Sequence, residues 1–237
     1  HIIIPGNHDK RSGGLTLFED YIGPSNGFQV YDDAIIIHVD SGVSDSNEGR
    51  VGMVKFDMIK DVLNKYQDKS KKIVVIHHHV IPIPKAGRER NVLTNAGDIL
   101  DLLLRSDVDL VVSGHRHYPN VYKIEDTVFV NAGTASGQKT REGEANSYNV
   151  IDIDDENIKV KIKKIGNSTM SKSYSRIEKR IFYNFGERKF RIIHMSNTFI
   201  SNLHKLLYRH FIKKKKKINH SSADICIHCG GIVEAGI

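Results

Sequence analysis

Short aliphatic runs alternate with polar clusters along the first two thirds of the chain. Ile2-Ile3-Ile4, Ile73-Val74-Val75-Ile76 and Leu110-Val111-Val112 are apolar at every position, and a Gly- or His-rich cluster follows each. Runs of this length, bounded by Gly, Pro or polar residues, predict strands buried on both faces. Residues 34–39 predict another strand, entering a turn at Asp40-Ser41-Gly42. Val54, Met58, Val62 and Tyr66 recur at helical spacing and predict an amphipathic helix over about residues 53–67. A short helix is expected around Ile99 to Leu104. Thereafter the helical spacing stops, and residues 121–124, 127–131, 148–153 and 158–165 read as strands. Asp154-Asp155-Glu156-Asn157 is the expected hairpin turn between the last two. Residues 1–165 therefore read as an α/β half followed by a β-rich half, with two packed sheets and outer helices.

Gly166, Asn167 and several Ser make residues 166–188 a predicted linker. Order is then expected to resume over residues 189–237. A strand at 190–195 is followed by a helical stripe of Leu203, Leu206, Leu207 and Phe211 and a short strand at 225–228. Such a β-α-β unit cannot bury both faces of its strands alone, so it must dock on something.

With 237 residues, 39% hydrophobic and 27% charged, the composition is that of a soluble globular protein. No apolar stretch approaches the roughly 18–20 residues of a membrane span. The start at His1, inside a strand, points to a missing N-terminus. Cys226 and Cys229 are the only cysteines, which excludes a disulfide framework and fits a reducing, cytoplasmic setting. Their CxxC spacing lacks a second pair for zinc, with only His220 and His228 nearby, and reads as two small residues in a buried strand. The net charge of +7 is uneven: residues 167–237 hold 14 basic and 4 acidic side chains, roughly +10, which leaves roughly −3 for residues 1–166. Lys213 to Lys217 sit at a predicted helix end, where they suit the helix dipole and, as a further use, phosphate backbones.

The clusters behind the strands carry the chemistry. They are Gly6-Asn7-His8-Asp9, His77-His78-His79 and Gly114-His115-Arg116-His117. Imidazole and amide oxygen are both metal ligands, and in open α/β sheets ligands collect beyond the carboxyl ends of strands. One shared metal site on one rim of a sheet is the expectation. His115 and His117, two apart, would point to the same side of an extended segment. His8, beside Asn7, would point away from the metal and be free for proton transfer, with Asp9 to orient it. One of the three histidines 77–79 is expected to bind metal.

GNHD, then a His pair after a strand, then GHxH, in this order, resembles the calcineurin-like metallophosphoesterase family, over about residues 1–165. IIIHVDSG, HHHVIPIP and VFVNAGTAS are similar to family segments as well. The resemblance implies an α/β fold of four layers, α-β-β-α, and a site for two divalent metal ions (Mn, Fe, Zn or Ni). By motif it implies Asn7, His77 and His115 as ligands of the second metal, His117 as a ligand of the first, and His8 as the acid that protonates the leaving alkoxide. The implied reaction is two-metal hydrolysis of a phosphoric ester by a phosphodiesterase or phosphatase.

The family's earlier Asp-x-His and Gly-Asp motifs are missing before Gly6. Altered copies resemble them near the C-terminus. In Phe190 to Phe199, Asn197 stands for Asp and Phe199 for His; in Ile225 to Glu234, Gly231 stands for Asp. The expected domain is thus incomplete or permuted: residues 189–237 either open a second, tandem domain or, as the favoured expectation, dock into the vacant edge of the first domain with Asn197 near His117. The alternatives are a catalytically impaired binding module and a nuclease-like protein that uses Lys213–Lys217. Arg88, Glu89 and Arg90 are expected in a loop that shapes the substrate pocket.

Overall fold

The computed structural model describes residues 1–84, 92–137, 140–141, 143–166, 169–176, 190–196 and 225–229, with the backbone alone for Phe190, Cys226 and His228. Its strands are β1 (Ile2–Ile4), β2 (Gly27–Val30), β3 (Ala34–Val39), β4 (Lys71–Ile76), β5 (Leu110–Ser113), β6 (Asn120–Ile124), β7 (Thr127–Asn131), β8 (Ser147–Ile153), β9 (Asn157–Lys164), β10 (Thr169–Ser175), β11 (Phe190–Met195) and β12 (Ile225–Cys229). The helices are α1 (Gly14–Tyr21), α2 (Met53–Lys65) and α3 (Ala96–Arg105).

Two six-stranded sheets form, in the orders β1-β12-β11-β8-β9-β10 and β2-β3-β4-β5-β7-β6. The second explains its own aliphatic runs. Ile36, Ile73, Val75, Leu110, Val112, Val128 and Val130 face the core between the sheets. Their neighbours Ile35, Ile37, Val74, Ile76, Val111 and Phe129 face a second core that includes Ile59, Val62 and Leu63 of α2 and Ile99 and Leu103 of α3. Successive strand residues point to opposite faces, so a strand with a core on each side must be apolar throughout. Of the expected helix stripe, Val62 is buried and Met58 and Tyr66 pack against this core. Ile59, Val62 and Leu63 are buried, while Val54 is 83% exposed at the start of α2.

The first sheet is assembled from distant parts of the chain. Strand 190–195 pairs parallel with strand 225–229, with Ile192 opposite Ile225 and Met195 opposite His228. Strand 225–229 in turn pairs parallel with β1, with Ile2 opposite Ile227 and Ile4 opposite Cys229. Ile2, Ile4, Ile192, Ile225, Ile227 and Cys229 all enter the core between the sheets. The altered motif positions Asn197, Phe199 and Gly231, the run Lys213–Lys217, and Arg88, Glu89 and Arg90 lie outside the described residues.

The stretch read as a linker holds a strand. β10 pairs with β9 from Thr169–Lys163 to Ser175–Asn157. Its side chains are nearly all exposed, so no apolar alternation marks it, and backbone pairing at a sheet edge holds it. Arg176, just beyond, crosses to the other sheet. Its Nη2 lies 2.9 Å from Asp109 Oδ1 and also donates to the Ser70 carbonyl, while Nη1 donates to Asp154 O at 2.6 Å. Lys71 makes a similar tie, to Asp33 at 2.8 Å and to Asp155 at 3.0 Å. No described helix is long and apolar enough to cross a membrane.

Arg176 and Asp109 are 7% and 6% exposed, and an unpaired buried charge is costly. Arg176→Ala is expected to cost about 3 kcal/mol, read as a lower urea midpoint at unchanged slope. A midpoint within experimental scatter of the parent would exclude the clamp.

Candidate metal centre

The three polar clusters meet, but not on one rim of one sheet. Asn7 follows β1 of the first sheet; His77 and His115 follow β4 and β5 of the second. The site spans the mouth between the sheets because the strands that deliver it face each other across the inner core.

Each group is held by a specific bond. His77 Nδ1 is 2.9 Å from the Cys229 carbonyl oxygen, which can only accept. Nδ1 therefore carries the proton and Nε2 the lone pair. Asn7 Nδ2 donates to Asn47 Oδ1 at 3.0 Å, which turns Asn7 Oδ1 inward. That oxygen lies 3.1 Å from His77 Nε2 and 3.2 Å from His115 Nδ1, and the two ring nitrogens are 3.3 Å apart. Two acceptors thus share a corner with a third atom that can satisfy only one of them. Among the described residues, His115 Nε2 is buried without a hydrogen-bond partner. A tetrahedral ion with ligand bonds of about 2.1 Å would hold its ligands about 3.4 Å apart. The separations and the donor set both fit a divalent cation.

One ring nitrogen from each of His77, His78 and His115 also lies within 4.8 Å of the others, so this histidine cluster could hold a metal. His78 is otherwise engaged. Its Nε2 donates to Asn47 O at 3.3 Å, and its Nδ1 accepts from Ser41 Oγ at 2.9 Å. Gly49 packs on the His78 ring so closely that a Cβ there would meet Cγ at 2.3 Å. His79 is buried, with its Nδ1 unpartnered among the described residues.

The GNHD loop is braced at both ends. Asp9 Oδ2 accepts from Gly6 N–H at 2.7 Å. Lys10, buried, reaches Asp40 Oδ2 at 2.6 Å and the Gly42 carbonyl at 2.7 Å, and Lys55 shares Asp40 at 2.8 Å. His8 is exposed on this loop. His115 and His117 are not extended as expected: both have left-handed φ, +69° and +54°. Such backbone costs about 1 kcal/mol or more per residue. It is held here by Gly114 N–H on His77 O at 3.0 Å and Arg116 N–H on Gly114 O at 2.8 Å. His117 is half-buried, near enough for its charge to oppose protonation of His77. Asn47, Ser41, Lys10 and the Cys229 carbonyl are the contributors that motif reading missed. Only the DSG turn after β3 hinted at any of them.

Burial keeps the imidazoles neutral. It pushes His77 and His79 from 6.5 down to about 4, aided in His79 by the Arg116 charge, and pushes His78 and His115 well below 6.5. Protonation then favours the unfolded chain. The stability these groups contribute is complete above 6.5 and lost as pH falls toward and through about 4. The metal-free protein should therefore show a urea midpoint that declines across this window. A midpoint flat from 6.5 to 4 would contradict four neutral imidazoles in the folded state.

Over residues 1–119 the sequence matches the family model described as calcineurin-like phosphoesterase. A protein of Coxiella burnetii named "Probable cyclic nucleotide phosphodiesterase" is 25% identical over 132 residues, covering 55% of this chain and 53% of its own. The fold is similar to that of purple acid phosphatase PPD1 from yellow lupin seeds, with a TM-score of 0.51 at 15% identity, covering 69% of this chain and 36% of the phosphatase. The chain thus spans about half the length of the Coxiella relative.

Proposed function

Because the chain belongs to the calcineurin-like phosphoesterase family, we propose that it hydrolyses phosphoric esters with divalent cations held at the mouth between its two sheets. The observation that carries this reading is the convergence of Asn7 Oδ1, His77 Nε2 and His115 Nδ1, at 3.1 to 3.3 Å, with the His77 proton committed elsewhere. These three would hold one ion, and His117 would serve a second. When bound, the ions would polarise the phosphoryl group, offset its developing charge and activate water. His8, exposed beside Asn7, would deliver a proton to the leaving alkoxide. Asp9 and the Lys10–Asp40 pair would keep that loop in place. In this reading the domain is the family's four-layer sandwich in permuted form, with strands 190–195 and 225–229 standing where an opening β-α-β unit would. A phosphodiester is the first substrate class to try, and the name of the Coxiella relative adds cyclic nucleotides to it.

One observation favours a second reading, a binding module of reduced or no activity. Among the described residues the metal-competent cluster is His77, His78 and His115, with no carboxylate in it. Neutral ligands alone would hold the ions weakly.

Turnover of bis-p-nitrophenyl phosphate with added Mn²⁺ separates the two. Hydrolysis above that of free Mn²⁺ is expected. His8→Ala should lower kcat about 10²-fold or more with Mn²⁺ affinity unchanged, whereas Asn7→Ala and His115→Ala should weaken Mn²⁺ binding itself. No turnover beyond free metal, with Mn²⁺ still bound, would leave only the binding module. A DNA titration that weakens steeply with salt, and less so after Lys213–Lys217 are neutralised, would instead favour the nuclease-like alternative.

A further inference from the structure

Cys229 is gripped from three sides. Its carbonyl oxygen accepts from His77 Nδ1–H at 2.9 Å and from Ser196 Oγ–H at 3.2 Å, and its buried sulfur lies 3.3 Å from His194 Nε2. His194 is fixed in turn. Its Nδ1 faces Asn149 Nδ2 at 3.2 Å, a group that can only donate, so the His194 proton sits on Nε2 and points at the Cys229 sulfur. Asn149 Nδ2 also reaches Asn131 O at 3.3 Å. A row of assigned hydrogen bonds therefore runs from β8 through β11 and β12 to the end of β4. Ser196 is also seated against the other sheet, its carbonyl accepting from Ala135 N–H at 3.1 Å. Space is as tight as the bonding. A Cβ on Gly114 would lie 2.6 Å from the Cys229 oxygen, 2.7 Å from Ser196 Oγ and 3.0 Å from Cys229 Cβ.

We infer that the C-terminal strand pair is the positioning element of the metal centre: the Cys229 main-chain carbonyl locks His77 as the Nδ1–H tautomer and turns its Nε2 lone pair toward Asn7 and His115. Residues 1–119, which match the family model, thus have one of their ring orientations set by a group more than a hundred residues beyond them. The use of that lone pair for a cation rests on the proposed function; the tautomer does not. A hydrogen bond that fixes a ligand's ring and raises its basicity is worth about 10–100-fold in metal affinity.

Nitrogen-15-labelled histidine in the metal-free full chain, at about neutral pH, reads the tautomer directly. His77, identified by the signal lost in His77→Gln, is expected to show a protonated Nδ1 and a bare Nε2. Gly114→Ala should drive the end of β12 away, convert His77 to Nε2–H or a mixture, and weaken Mn²⁺ binding by calorimetry about 10–100-fold, with the far-ultraviolet circular dichroism retained. Nε2–H in the unmutated protein overturns the inference, whether or not the variant folds. An unchanged tautomer and Mn²⁺ affinity in a folded Gly114→Ala overturns it too, and leaves the hydrolase reading standing. Nδ1–H in the parent with no Mn²⁺ binding at all supports the positioning role and removes the hydrolase reading.

Discussion

One hydrogen bond, from His77 Nδ1 to the Cys229 carbonyl at 2.9 Å, joins the two sheets at the point where their chemistry lies. It ends a parallel set of strands on one side, β1, β12 and β11, and a second parallel set on the other, β3, β4, β5 and β7. Neither set could aim its side chains at a common centre if the mouth between the sheets opened by an ångström. The far end of the sandwich is held by charge, through Arg176 and Lys71; the near end is held by this bond and by the packing of Gly114 against Cys229.

The polar content of the mouth is unusual for a protein interior. His77, His78 and His79 follow one another at the end of a buried strand, and Asn7, Asp9, Lys10 and Asp40 lie close by, all less than a tenth exposed. The charged members are matched: Asp40 faces two lysines and a backbone N–H, and Asp9 faces Gly6. The imidazoles stay neutral because burial penalises their charged form more than any neighbour favours it. What remains is lone pairs on Asn7 and His77, of which His115 Nδ1 can satisfy only one, and lone pairs held together in a buried site call for a cation.

Much of this was legible in the sequence because most of it depends on side chains. Strands with a core on both faces declare themselves as unbroken aliphatic runs, so β3, β4, β5 and β7 were readable. GNHD, HHH and GHRH marked the residues that meet. β10 escaped because Thr169 to Ser175 is a solvent-facing strand whose stability lies in its backbone. α1 and β2 escaped because they are short and each buries little. The left-handed turn at His115 and His117 escaped because only Gly114 signals it, and glycine signals many things. The division of the clusters between two sheets is a matter of strand order, which periodicity does not encode. The Cys229 carbonyl could not have been read at all, since every residue has one and only the register of β12 against β1 selects it.

That register has a consequence for how the chain acquires its structure. The second sheet is complete between Gly27 and Asn131, with no partner strand more than about forty residues along the chain from its neighbour. β1 is the opposite case: its neighbour β12 is made more than two hundred residues later. On a ribosome β1 would wait, its isoleucines unpaired, until β12, the last described strand, has emerged. Loop closure over that distance is slow relative to the local pairings of the other sheet. The order of assembly would therefore run against the order of synthesis at this edge, and the metal centre, which needs both sheets, would mature only after the second sheet has formed.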